Sequence, residues 1–201
     1  MPNTWFTADF HLGHANIIRY CGRPFPTVEE MDQAILERLN ASVKANDILY
    51  FLGDFCIGNQ ARILEYRRRI RCKKIFAAPG NHDKQARKLK EEFSWLDNLA
   101  EVSINGQPIV LCHYALRVWN RSNHGSWHLY GHSHGRLLEV PRSLSMDVGV
   151  DTHDFRPWHY DEIADIMRKK AEAPAWASDH WQSPHLRSVT GKNLGSRCYY
   201  F

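Results

Sequence analysis

The chain has 201 residues, of which 43% are hydrophobic and 24% charged, with a formal net charge of +4. That is length for one domain with a real core, and the composition of an ordinary globular protein rather than a disordered, fibrous or membrane-spanning one. The mild positive charge allows an anionic substrate without demanding nucleic acid, and five scattered cysteines (21, 56, 72, 112 and 198) with no C-x-x-C pair argue against a disulfide framework or a thiolate zinc site.

Met1 to Trp5 lack the basic-then-apolar order of a signal peptide, and no apolar run reaches about 18 residues, so the sequence predicts a reducing, cytoplasmic setting and no membrane partner. Thr4 to Ala8 reads as a short buried strand ending in Asp9-Phe10-His11. Two residues apart on extended backbone, Asp9 and His11 would face one side, and a carboxylate beside an imidazole suits a divalent metal. His14 follows, either behind that pair or at a helix start. Arg23 to Pro26 is a loop. Thr27 caps a helix, with Glu30 completing a capping box, and the helix runs to about Val43 with Met31, Ile35, Leu36 and Leu39 on one face. Ile48 to Leu52 is a fully apolar strand that delivers Gly53-Asp54. Ala61 to Ile70 is a helix, and Arg67 to Lys74 forms a basic run, read either as a phosphate-binding patch or as a solvated face.

Ile75 to Ala78 is a third strand, and it ends in Pro79-Gly80-Asn81-His82-Asp83. A charged helix is expected over Lys84 to Phe93. Leu99 to Ile104 and Pro108 to Cys112 form a hairpin through the Asn105-Gly106 turn, and its second strand delivers His113. Tyr114 to Gly125 is a loop rich in Trp, Arg, Asn and His. Ser126 to Tyr130 is a strand ending in Gly131-His132-Ser133-His134-Gly135. Ser143 to Val150 is a last strand, and Tyr160 to Ala171 a last helix. This divides the chain into one domain over 1–171 and an aromatic extension over 172–201, which is expected to pack back on the domain.

Five strand ends thus carry Asp9 and His11, Asp54, Asn81 and His82, His113, and His132 and His134. This is a set of oxygen and imidazole donors without thiolate, suited to Mn, Fe or Zn. It is too large for one tetrahedral ion and suits two ions that share Asp54. Two ions about 3.5–4 Å apart lower the pKa of a water and clamp phosphoryl oxygens during in-line displacement.

In this order, D-x-H, G-D, G-N-H-D, a lone H and G-H-x-H resemble the calcineurin-like metallophosphoesterase superfamily, over residues 4 to about 150. The resemblance implies an α/β fold of two stacked mixed β-sheets flanked by helices, a four-layer sandwich. It implies that Asp9, His11 and His134 hold one ion, that Asn81, His113 and His132 hold a second, and that Asp54 bridges them. His82 would be a non-ligand histidine that contacts the phosphate and protonates the leaving oxygen. Protein Ser/Thr phosphatases of the superfamily extend the second motif to G-D-x-x-D-R-G, whereas this chain has Gly53-Asp54-Phe55-Cys56-Ile57-Gly58-Asn59. The chain is therefore more similar to short bacterial and phage phosphoesterases, some of which share its Asp-x-His-x-Gly-His and Arg-Pro-Phe segments.

The expected activity is hydrolysis of a phosphomonoester or phosphodiester through a hydroxide held between two divalent ions. Mn²⁺ is the first choice of metal, with Fe, Zn or Ni as alternatives. His82, Asp54 and Asn81 would be catalytic, and the substrate a nucleotide, cyclic nucleotide or nucleic-acid phosphate. Arg23, Arg117, Trp119 and His124 lie in loops near the motif ends and are candidate substrate contacts. The alternative is a catalytically idle interaction module that docks through its aromatic tail.

Overall fold

The computed structural model describes residues 2–173. The packing expected of the aromatic extension over 172–201 lies outside the described residues from residue 174 on. Nine strands form two mixed sheets among the described residues. In the first sheet, β1 (Thr4–Thr7), β2 (Ile48–Phe51), β3 (Lys74–Ala77) and the short edge strand β4 (Ser94–Trp95) run parallel, and β9 (Trp158–His159) closes the other edge antiparallel to β1. In the second sheet, β5 (Leu99–Ile104) pairs antiparallel with β6 (Gln107–Cys112), which runs parallel to β7 (Trp127–Tyr130) and β8 (Ser145–Asp147).

Helices α1 (Ala15–Cys21), α2 (Val28–Ser42) and α3 (Gln60–Arg69) cover one face of the first sheet. They lay Ile17, Met31, Ile35, Leu39 and Ile63 against Leu49, Phe51, Ile75 and Ala77. The opposite face sets Phe6, Ala8, Leu52 and Ala78 against Ile109, Leu111, Leu129 and Met146 of the second sheet, and α4 (Tyr160–Glu172) adds Ile163 and Met167 to this second core. Burying each Leu, Ile, Met or Phe side chain of these cores stabilises the fold by roughly 1.5–3 kcal/mol. The result is two mixed sheets flanked by helices.

Helix ends follow their sequence cues. Thr27 Oγ1 accepts the Glu30 N–H at 3.2 Å, and Asn59 Oδ1 accepts the Arg62 N–H at 3.0 Å. Several elements differ from expectation. Lys84 to Phe93 yields only a 3₁₀ turn at Ala86–Lys88. Arg87, Lys88, Lys90 and Glu91 are exposed there, too little of the segment is buried to hold a helix, and Phe93 instead packs on Phe55 and Trp95 as the chain enters β4. β8 is shorter than Ser143 to Val150 because the Asp147 carboxylate accepts the Gly149 N–H at 2.7 Å and bends the chain. β9 has two residues, too few to show a period.

The parallel registers align Thr7 with Phe51 and Phe51 with Ala77, and Leu111 with Leu129. The C-terminal ends of β1, β2, β3, β6 and β7 therefore share one rim, where an α/β sheet opens to a ligand.

Candidate metal centre

The loops leaving that rim are stitched together by backbone. The Asp9 N–H donates to Gly53 O at 2.9 Å, His11 N–H to Asp54 O at 2.9 Å, and Gly131 N–H to His113 O at 3.0 Å. Asp9, His11, Asp54, His132 and His134 all have positive φ, between 49° and 67°. Such backbone costs a non-glycine residue roughly 1–3 kcal/mol and collects where surrounding structure over-determines it. It also corrects the extended-strand reading: Asp9 and His11 converge because both turn left-handed beyond the strand.

Space between the loops is minimal. Gly53 has φ +92°, and a Cβ there would lie 2.6 Å from both Gly80 N and His113 Nδ1. A Cβ on Gly80 would meet the Asp54 carboxylate. Glycine at both positions lets the β2 and β3 loops touch.

The convergent side chains form three overlapping groups able to hold an ion: Asp9, His11 and His134; His11, Asp54 and His82; and Asp54, His113 and His132. Asp54 Oδ2 lies 3.5 Å from His11 Nε2 and 3.4 Å from His113 Nε2. His113 Nε2 lies 3.1 Å from Asn81 Oδ1 and 3.2 Å from His132 Nδ1. The structure thus brings together all eight rim residues singled out in the motifs. His113 Nδ1–H donates to Leu52 O at 2.8 Å and His134 Nδ1–H to Asp151 Oδ2 at 2.7 Å, which turns both Nε2 atoms toward the cluster.

The donor set fits a divalent cation. Asp9 Oδ1, His11 Nδ1 and His11 Nε2 are buried without any hydrogen-bond partner, a costly arrangement that an ion would relieve at Asp9 Oδ1 and at the one His11 nitrogen that carries no proton. Burial pushes the Asp9 carboxyl up to about 7 against the pull of His134 and His113, and burial takes His11 down to about 3. Burial also raises Asp54, but the His113 hydrogen bond and charge, the His82 N–H and His11 outweigh it and bring Asp54 to about 2. A divalent ion favours the ionised carboxylates and the neutral imidazoles alike.

Three of the four candidate substrate contacts, Arg23, Trp119 and His124, fall elsewhere. Arg23 is only 4% exposed. Its guanidinium donates to Asp151 through Nε and Nη2, each at 2.8 Å, to Asp9 O at 2.7 Å and to Phe10 O at 2.9 Å, so it holds the first ligand loop from inside the fold. Trp119 is buried on the second sheet, tilted against His128 at 5.4 Å, with Nε1–H donating to Ser126 O at 3.1 Å. His124 is exposed beside Gly125, whose carbonyl accepts from Gln107 at the start of β6, the end remote from the cluster. Arg117 is exposed on the loop after His113.

Several supporting residues escaped the sequence reading. The Asp83 carboxylate accepts the N–H groups of Asp54 at 2.7 Å, Phe55 at 2.9 Å and Gly80 at 2.9 Å. Asp147 accepts the Gly135 N–H at 2.9 Å and Asp151 orients His134. Asp32 accepts the Gly13 N–H at 2.9 Å and the Tyr66 hydroxyl, steadying the loop of His11 and His14. Asp147 and Asp151 carried a usable signal, since Asp147 ends β8 and Asp151 stands just beyond it, near a strand end like the candidate ligands. His14 caps α1 without a side-chain hydrogen bond, with its ring 6.1 Å from that of His82.

Residues 2–187 match the family described as calcineurin-like phosphoesterase. The chain is 30% identical over 175 residues to MJ1445, an uncharacterized protein of Methanocaldococcus jannaschii, covering 84% of this chain and 93% of that one. It is 25% identical over 200 residues to the gene 66 protein of Mycobacterium phage D29, covering 83% of this chain and 96% of that one. Among solved structures it is similar to AQ665, a protein of unknown function from Aquifex aeolicus, with a TM-score of 0.64 and 23% identity over 83% of this chain and 100% of that one. That last likeness is one of fold, whereas the family match spans both sheets and the rim loops that carry the candidate metal-binding residues. The chain belongs to the calcineurin-like phosphoesterase family.

Proposed function

We propose that this chain is a dinuclear metal-dependent phosphoesterase. The observation that carries the reading is the overlap of the three donor groups: Asp54 belongs to two of them and sits between His11 and His113. Asp9, His11 and His134 would hold one ion, Asn81, His113 and His132 the other, and Asp54 both. Bound divalent ions, Mn²⁺ first among the candidates, would activate water for in-line attack on phosphorus and neutralise the phosphoryl charge.

The chain's own residues orient and protonate. Asp83 fixes the Asp54 and Gly80 backbones, so that Asp54 Oδ1 accepts the His82 N–H at 2.8 Å and the β3 loop stays against the cluster. His82 is exposed at the rim, its ring 5.3 Å from that of His11, where a substrate phosphate has access to it. As a proton donor, it delivers its proton to the departing alkoxide oxygen. Asn81 directs its amide toward the His113 side and can donate to a phosphoryl oxygen. The rim is open among the described residues, which suits a nucleotide, a cyclic nucleotide or a nucleic-acid phosphate.

The test is hydrolysis of bis-(4-nitrophenyl) phosphate and 4-nitrophenyl phosphate with Mn²⁺ and with chelator. Metal-dependent turnover that falls by more than about 100-fold in Asp54→Asn is expected. Chelator-resistant turnover, or an active Asp54→Asn, would refute the reading.

A further inference from the structure

Beside the Asn81 and His113 side of the cluster, the loops after β3 and β6 enclose a crevice of about 400 Å³, bounded by Gly80, Asn98, Cys112, Tyr114 and Arg87. Arg87 also lines a second cleft, of about 420 Å³, that follows edge strand β4 past Lys90, Arg67 and Lys73. Arg87 lines both, so the two clefts lie side by side, the first next to the loops that carry Asn81 and His113 and the second along the edge of the first sheet, and together they form the path considered below.

The path is cationic. Arg67, Lys73, Arg87 and Lys90 face Glu91 and Glu92 in the second cleft, an excess of positive charge. Among the described residues, Lys73, Arg87 and Lys90 take part in no ion pair. Arg67 is fixed, with Nε donating to Glu92 O at 2.9 Å and the guanidinium 5.8 Å from the Phe93 ring centroid. At the mouth stands Tyr114, 46% exposed, edge-on to His113 at 5.0 Å and to His132 at 4.8 Å. Of the basic run from Arg67 to Lys74, only Arg67 and Lys73 line this path; Arg71 lines a separate groove with Gln33 and Asn40.

We propose that this path binds a single strand of nucleic acid. Tyr114 stacks a base next to the reacting phosphate, and Arg87, Lys90 and Lys73 take the phosphates that follow. The proposal rests on the phosphoesterase reading and narrows its substrate. An aromatic face beside a row of cations is the recognition pattern for a single strand. Each cleft has the volume of a small-molecule site, which admits one nucleotide unit at a time and not a duplex. A merely acidic peptide would use the cations and leave Tyr114 without a part.

The test is fluorescence anisotropy of a labelled, cleavage-resistant phosphorothioate strand with the metal-loaded full chain, beside turnover of bis-(4-nitrophenyl) phosphate. Lys73→Glu with Lys90→Glu is compared with the charge-matched pair Arg68→Glu with Arg71→Glu. The first pair should weaken binding about tenfold and flatten the slope of log Kd against log salt by about 1.4, for two contacts of roughly 0.7 each. The second pair should stay within about twofold, as expected off the path. Tyr114→Ala should also cost about tenfold and Tyr114→Phe restore binding. Equal loss in both charge-reversed pairs, no loss in either, or equal competition by a poly-glutamate peptide would overturn the proposal. Turnover of the small diester without strand binding overturns this proposal alone. Strand binding with this pattern but no diester turnover refutes the phosphoesterase reading and keeps the path as a binding site.

Discussion

Arg23 and Asp151 form a buried, two-pronged ion pair, with Nε and Nη2 each 2.8 Å from a carboxylate oxygen. The pair spans 128 residues of sequence and joins two loops that carry candidate metal-binding residues. Arg23 grips the carbonyls of Asp9 and Phe10, while Asp151 holds His134. Removing one partner of a buried pair leaves an uncompensated charge, so Arg23→Ala should lower unfolding free energy by about 3–5 kcal/mol. Arg23→Lys should recover little, because an ammonium cannot serve the same fork of acceptors. Urea denaturation checks this. Wild-type stability combined with a raised KM would return Arg23 to a substrate-contact role.

Asp83 is the second hinge of the account. Its carboxylate accepts three buried N–H groups, from Asp54, Phe55 and Gly80. Leaving such donors unsatisfied costs about 1–3 kcal/mol each. Asp83→Ala should therefore destabilise by about 3 kcal/mol or more, and also weaken metal binding by about 10–100-fold. Asp83→Asn, which keeps one acceptor oxygen, should fall between. Calorimetric metal titration beside denaturation measures both effects, and unchanged metal affinity in a destabilised Asp83→Ala would confine Asp83 to folding.

Much of the candidate site is legible along the chain because the strands that lead to it are largely apolar and the candidate ligands follow their ends. Asp54 after Ile48–Phe51 and His113 after Gln107–Cys112 need only that rule. The supporting residues are less legible because their partners are distant in sequence. Nothing near Arg23 announces Asp151, and nothing near Trp119 announces that it will cover His128. Asp83 stands inside a legible motif, but its three acceptor bonds appear only when the β2 and β3 loops meet. Lys84 to Phe93 misleads in the opposite sense. Its apolar spacing resembles a helix, yet Phe93 is drawn into the aromatic cluster with Phe55 and Trp95.

Asp47 provides a pH test away from the metal centre. Burial raises its carboxyl, but hydrogen bonds from Lys44 N, Asn3 N and Trp5 Nε1 outweigh that and hold it below its ordinary value of 3.8. The folded state thus binds this proton more weakly than the unfolded chain. The stability Asp47 contributes is fully present above the unfolded value and is lost as pH falls through the lower folded value. In Asp47→Asn that part of the acid-side loss should disappear. Thermal melts across the acid range decide it, and parallel curves for wild type and variant would contradict the assignment.

Metal should also stabilise the fold. Ions that bind only the folded chain add about 2.7 kcal/mol per site at one hundred times Kd. Mn²⁺ should raise the melting temperature and chelator lower it. The gain should shrink at acid pH, because protons compete for the imidazole and carboxylate lone pairs. A melting temperature indifferent to both additions would argue against ion binding at the rim.

The central claim is that Asp54 is shared between two ions, and electron paramagnetic resonance of the Mn²⁺-loaded chain, with metal counted by mass spectrometry, tests it most directly. Two ions per chain with a spin-coupled spectrum are expected, with loss of the coupled spectrum in Asp54→Asn. One ion per chain, or two ions with uncoupled spectra in the wild type, would contradict it.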